Sequence, residues 1–138
     1  MPKAVARRRD AVLPSFVRPQ LCRLQEKPPS GDRWVHEIKY DGYRINALID
    51  AASVKLLTRT GLDWTDRYPA TAAALNKLPA RRAYIDGELC ALNPDCTTSF
   101  AAMQAATDSA NTGDLVYYGF TRFTVTVHSI LEFRSRQK

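Results

Sequence analysis

From Trp34 onward the chain is cut into short apolar segments by turn-forming residues, and this punctuation restricts its fold more than any other feature. Asp41-Gly42, Thr60-Gly61, Asp86-Gly87 and Asn93-Pro94-Asp95 fall between or within runs of alternating apolar and polar residues. A period of two places successive side chains on opposite faces of a strand. The pattern predicts strands over 34–40, 43–50, 54–59, 83–92 and 115–120, with Asp41-Gly42 as the turn joining the first two and Asp86-Gly87 interrupting the fourth. The Ala- and Leu-rich run 69–77 predicts a helix, and Ser99 is placed to cap a second one over 100–106. Upstream, Pro14, Pro19, Pro28 and Pro29 exclude one continuous helix. The class expected is α+β, with antiparallel hairpins and helices between them.

The 138 residues are enough for one domain with its own core. With 45% hydrophobic and 25% charged residues the composition is that of a globular chain, and no apolar run approaches the roughly 20 residues that span a bilayer. Residues 1–13 read as a loose basic lead-in, because Met1 to Arg9 lack the apolar stretch of a secretory signal. The net charge of +6 suits a polyanionic partner. Part of that excess lies in Arg7-Arg8-Arg9 and in Arg134, Arg136 and Lys138, outside any necessary binding face. Three cysteines with no C-x-x-C pair make neither a disulfide frame nor a zinc site, so a reducing cytoplasm is expected. Cys90 reads as a core residue, and Trp34 and Trp64 as core or rim aromatics.

Three stretches carry candidate chemistry. In Glu37-Ile38-Lys39-Tyr40-Asp41-Gly42-Tyr43-Arg44, alternation points Glu37 and Lys39 the same way at the end of a strand. A lysine there can act as a nucleophile if cations or desolvation keep it partly neutral. Gly42 permits close backbone approach, and Arg44 offers a planar fork to phosphate or sugar oxygens. The alternative for this stretch is a plain hairpin with surface charge. In Tyr84-Ile85-Asp86-Gly87-Glu88-Leu89, two carboxylates share one face, suiting a divalent metal or a ribose hydroxyl, or else marking another turn with an exposed Glu. In Leu57-Thr58-Arg59-Thr60-Gly61, Arg59 stands between a strand and a glycine turn, a reasonable place for a phosphate contact.

In their order and spacing these stretches resemble the covalent nucleotidyltransferases, the group that includes ATP-dependent DNA ligases, RNA ligases and messenger-RNA capping enzymes. Lys39 to Arg44 is similar to their lysine motif, Ile85 to Leu89 to a later motif whose glutamate, Glu88, lies 49 positions after Lys39, and Leu115 to Phe120 to the one carrying a base-stacking aromatic. The longer strings from Arg18 to Arg44 and from Leu56 to Pro69 resemble the ligase module of bacterial non-homologous end-joining DNA ligases. The resemblance covers residues 14–120. It implies a partial nucleotidyltransferase fold, ATP-grasp-like, with antiparallel sheets and flanking helices. It implies that Lys39 takes AMP from ATP, that Glu37 helps recognise the adenine amino group, and that Arg44 and Arg59 contact sugar and phosphates. Glu88 would bind the ribose or a metal, Mg²⁺ or Mn²⁺, and Phe120 would pack on the adenine. The implied partner is DNA at nicks or broken duplex ends, with an end-joining protein, in a bacterial cytoplasm beside the nucleoid and away from membranes.

After Phe120 the resemblance stops, and residues 121–138 read as a divergent basic tail, although Phe123 to Val127 alternates like a strand. On this reading the chain is a truncated or frameshifted product lacking later phosphate-binding lysines, a metal-holding glutamate and an OB-fold domain, and its activity alone is open. Other readings are an RNA ligase or capping-type enzyme, a non-catalytic nucleotide- or DNA-binding fragment, and an unstable fragment with no function.

Overall fold

A computed structural model describes residues 12–21, 23–34 and 38–126, with side chains described as far as Phe120. Four antiparallel strands form one sheet in the order β2-β1-β3-β4: β1 Tyr43–Asp50, β2 Ser53–Thr58, β3 Arg82–Cys90 and β4 Val116–Thr126. Two helices, α1 Pro69–Leu75 and α2 Phe100–Asp108, lie in the connections, α1 preceded by a 3-10 turn at Thr65–Arg67. The expected α+β class, antiparallel strands with flanking helices, is the one observed. Pro69 opens α1 at a position whose N–H has no intrahelical partner to lose. Ser99 caps α2, its hydroxyl accepting the Ala102 N–H at 3.2 Å.

Register sorts the side chains into two faces. Ile45, Ala47 and Ile49 of β1 lie opposite Thr58, Leu56 and Val54 of β2 and opposite Gly87, Ile85 and Ala83 of β3. This face is the core, closed by Tyr68, Leu75 and Met103. Each fully buried Ile or Leu here contributes roughly 1.5–3 kcal/mol. Tyr43, Trp64, Tyr68 and Phe100 continue the layer through edge-on ring contacts, while Trp34 stands largely exposed. The other face carries Arg44 and Asn46 of β1, Tyr84, Asp86 and Glu88 of β3, and Tyr118 of β4. The proline-punctuated lead-in forms no helix among its described residues and partly covers this second face. The Val17 N–H donates to Tyr84 Oη at 2.8 Å, and Asn46 Nδ2 donates to the Val17 carbonyl at 3.1 Å.

Two sequence expectations are corrected. Residues 38–41 form no strand and Asp41-Gly42 closes no hairpin; residues 35–37 lie outside the described set. The physical reason is occupancy. A hairpin at Asp41-Gly42 would need a free edge of β1, and both are already paired, to β2 and β3. Nor does Asp86-Gly87 interrupt β3, which pairs with β1 without a break. The irregularity falls on the neighbour: Asp86 lies opposite Thr121 and Gly87 opposite Gly119, leaving Phe120 as the extra residue of a bulge in β4. Beyond that bulge β4 runs to Thr126, through part of the alternating run at 123–127.

Gly87 makes this arrangement possible. A Cβ there would lie 2.5 Å from the Tyr118 carbonyl oxygen and 2.6 Å from the Tyr117 ring. Tyr117 passes over the glycine and donates its hydroxyl towards the carbonyls of Ile45 at 2.9 Å and Ile85 at 3.0 Å. Among the described residues no helix is long and apolar enough to cross a membrane. Gly87→Ala is expected to cost about 1–3 kcal/mol through overpacking, read from chemical unfolding; an unchanged midpoint would contradict this packing.

Candidate active site

The second face of the sheet gathers most of the residues singled out by sequence. A single row of the sheet runs Arg44, Glu88, Tyr118 across β1, β3 and β4. Arg44 reaches diagonally to Asp86, its Nε and Nη2 donating to the two carboxylate oxygens at 2.6 and 2.5 Å. This is a bidentate, charge-assisted pair on a buried carboxylate. Over it lies Phe120, its ring centroid 5.0 Å from the guanidinium carbon of Arg44. The bulge in β4 brings Phe120 to this spot.

Gly42 packs directly on β3. A Cβ at that position would come within 2.1 Å of the Leu89 carbonyl oxygen, and within 2.8 Å of the Cys90 sulfur. Only glycine therefore lets the segment after Lys39 enter β1 at this depth. The Gly42 N–H donates to Glu88 Oε1 at 3.3 Å, and the Asp41 N–H to Thr98 Oγ1 at 3.0 Å. The Tyr40 ring stacks on Tyr118 with centroids 4.0 Å apart and planes within 7°. The Lys39 ammonium pairs with Asp41, and Glu88 is close enough to act on it electrostatically.

Electrostatics distinguish the two partners. Lys39 is raised above its usual range by the Asp41 hydrogen bond first, then by the charges of Asp41 and Glu88. Its side chain is 83% exposed. The expectation of a partly neutral amine is therefore not met in this geometry: the lysine is neither desolvated nor set beside a cation, and it rests protonated. Glu88 is shifted up, chiefly by burial, against the opposing effects of the Gly42 N–H, Arg44 and Lys39. Burial, with help from the Glu88 charge, pushes the nearby Cys90 thiol up to about 11, in keeping with an inert core cysteine.

Of the expected site residues, Lys39, Arg44, Glu88 and Phe120 come together on this face. Glu37 lies outside the described residues. Arg59 stands exposed just beyond the last rung that pairs β1 with β2, Ile45 to Thr58, in line with Arg44 but held by no ladder bond. Asp86, read with Glu88 as a possible metal pair, is instead occupied by Arg44. Among the described residues no group of three or more His, Cys, Asp or Glu side chains could hold a metal ion. Sequence reasoning missed Tyr118, Tyr40 and Thr98. Tyr118 was legible in principle, two positions from Phe120 on an alternating strand; Thr98 reaches the site only through the fold.

The arrangement gathers an amine at a glycine turn, a clamped guanidinium, a carboxylate and an aromatic ring on one face of the sheet. Comparison with known proteins identifies it further. Residues 20–131 match the family described as ATP dependent DNA ligase domain, and the chain belongs to that family. It is 39% identical over 108 residues to the multifunctional non-homologous end joining protein LigD of Pseudomonas aeruginosa, covering 78% of this chain and 13% of that protein. With the bifunctional LigD of Bacillus subtilis it shares 33% identity over 87 residues, covering 59% of this chain and 14% of that protein. A solved mycobacterial DNA ligase D complexed with ATP and MES superposes with a TM-score of 0.57 at 27% identity, over 71% of this chain and 32% of the other. The ligase domain of Mycobacterium tuberculosis LigD gives the same values. The fold is thus the nucleotidyltransferase fold of the ligase domain, of which this chain spans about a third.

Since the folded-state value of Glu88 lies above its unfolded one, its contribution to stability is full below the unfolded value, about 4.3. That contribution is lost as pH rises through the folded value. Glu88→Gln is therefore expected to melt at a higher temperature than wild type at pH 7, with the gap closing towards about pH 3.5. A variant that melts lower at pH 7 would show that the carboxylate is stabilised, not strained, by its surroundings.

Proposed function

We propose that the chain works as the adenylation unit of an ATP-dependent DNA ligase, with Lys39 as the residue that accepts AMP. The observation that carries this reading is the Lys39 turn: an ammonium paired with Asp41, beside Glu88, on a backbone packed through Gly42 onto β3. In the reaction Asp41, already the hydrogen-bond acceptor, takes the ammonium proton. The freed Nζ attacks the α-phosphorus of ATP, an N–P bond forms, and the P–O bond to pyrophosphate breaks, the electron pair leaving with pyrophosphate. The AMP then passes to the 5′-phosphate of nicked DNA, and a 3′-hydroxyl displaces it.

The other residues bind and orient. Arg44, oriented by Asp86, contacts sugar and phosphate oxygens, and Arg59 adds a second guanidinium from the β2 end. Glu88 faces the ribose or a metal, Phe120 supplies an aromatic face for the adenine, and Glu37 reads its amino group. The donor set suits Mg²⁺ or Mn²⁺ held by Glu88 together with ATP phosphates, since such ions are commonly bound by one or two carboxylates plus substrate phosphate. Bound there, the ion would offset phosphate charge and supply Lys39 with a positive neighbour. The DNA substrate on this reading is a nick or a broken duplex end, with an end-joining protein as partner and the cytoplasm beside the nucleoid as the place of action; the non-homologous end joining in the names of the LigD relatives supports the broken end.

Incubation with ATP and Mg²⁺ is expected to add one AMP to the intact mass of wild type and none to Lys39→Ala. GTP in place of ATP should leave the mass unchanged. An adduct that survives Lys39→Ala would move the nucleophile elsewhere, and a GMP adduct would favour a capping-type enzyme.

A further inference from the structure

Residues 38–41 belong to no strand, so no ladder sets the position of Lys39 relative to the sheet. The ion pair with Asp41 cannot set it either, because the two residues share one turn and move together. Placement must come from contacts between this turn and the rest of the fold. The Gly42 N–H to Glu88 holds the end that enters β1. Among the described residues, further contacts come from separate elements: the Tyr40 ring lies flat on Tyr118 of β4, and the Asp41 N–H donates to Thr98 in the loop before α2. Thr98 is itself tied down by a backbone bridge to Leu92. Phe120, also on β4, adds a more distant stack, its centroid 6.2 Å from that of Tyr40 against 4.0 Å for Tyr118.

We infer that Tyr118 and Thr98 are positioning residues for the nucleophile: together with the Gly42 contact they triangulate the Lys39 turn and present its amine beside Glu88. This deepens the adenylation reading and rests on it for its catalytic consequence, though the geometric claim has a readout of its own. Three contacts on three elements fix a short segment against both translation and rotation, whereas the Gly42 contact alone leaves it free to swing. Misplacing a reacting group by an ångström costs up to about 100-fold in rate.

The test compares Tyr118→Ala, Tyr118→Phe and Thr98→Val in the full chain, by residue-resolved amide exchange and by the rate of lysyl-AMP formation at varied ATP. Tyr118→Ala is expected to speed exchange at Asp41 and Gly42 at least about tenfold, leaving the β1–β3 amides unchanged as evidence of an intact fold, and to slow adduct formation by about 10- to 100-fold at saturating ATP with KM unchanged. Tyr118→Phe, which keeps the stack, should restore both. Thr98→Val should speed exchange at Gly42 and lower the rate in the same direction. Unchanged exchange in both Tyr118→Ala and Thr98→Val overturns the inference. So does a Tyr118→Ala effect confined to KM, which would make Tyr118 a nucleotide contact, or failure of Tyr118→Phe to rescue. If exchange responds as stated while wild type forms no adduct, the positioning role stands and the adenylation reading falls.

Discussion

The pair formed by Arg44 and Asp86 is the interaction on which the candidate site depends. It crosses diagonally between the two central strands of the sheet, on the face opposite the core, and it satisfies a buried carboxylate with two charge-assisted hydrogen bonds. Removing either partner would leave a charge in a poorly hydrated place, so the pair holds both side chains to one geometry. With Arg44 fixed, Phe120 has a flat cation to lie against, and the neighbouring position on β3 belongs to Glu88. The arginine is thus oriented before any nucleotide arrives, the kind of preorganisation that charge-stabilising sites need.

Around this pair the sheet divides its labour. One face is apolar and packed against the helices; its residues account for the fold. The other carries charge, amide and phenol groups, and the lead-in segment at Val17 satisfies two of these, Asn46 and Tyr84. Two glycines set the close approaches. Gly42 lets the lysine turn sit on β3, and Gly87 lets Tyr117 and the β4 backbone pass. The bulge at Phe120 then re-aims one aromatic ring towards Arg44. A regular ladder would have presented no extra residue there.

The site also carries a cost typical of functional surfaces. Glu88 is held at a depth where its ionised form is disfavoured, and Lys39 projects into solvent with a carboxylate as its nearest partner. Neither arrangement helps the fold. On the proposed adenylation reading, both groups would meet a nucleotide and a divalent cation, which would relieve the carboxylate and lower the proton affinity of the amine.

Much of this was legible in the letters. Strand β1, the capped helix after Ser99 and the core role of Cys90 follow from alternation and capping chemistry, local properties of the chain, while the grouping of Lys39, Arg44, Glu88 and Phe120 was implied by the family resemblance. The misreadings concern what neighbours decide. Residues 34–40 alternate like a strand, yet 38–41 make no hairpin with β1, because both edges of β1 are taken. Asp86-Gly87 spells a turn, yet β3 runs straight through and the irregularity passes to β4, since only the pairing partner determines which strand carries the extra residue. Asp86 reads as a metal ligand until Arg44 is seen to occupy it. Tyr118 and Thr98 reach the lysine turn from 57 to 78 positions away. Sequence determined the elements and the chemical groups, because propensity and side-chain type are local. Tertiary structure alone decided which groups neutralise one another and which remain turned towards a ligand, because burial and pairing depend on what else the fold brings alongside.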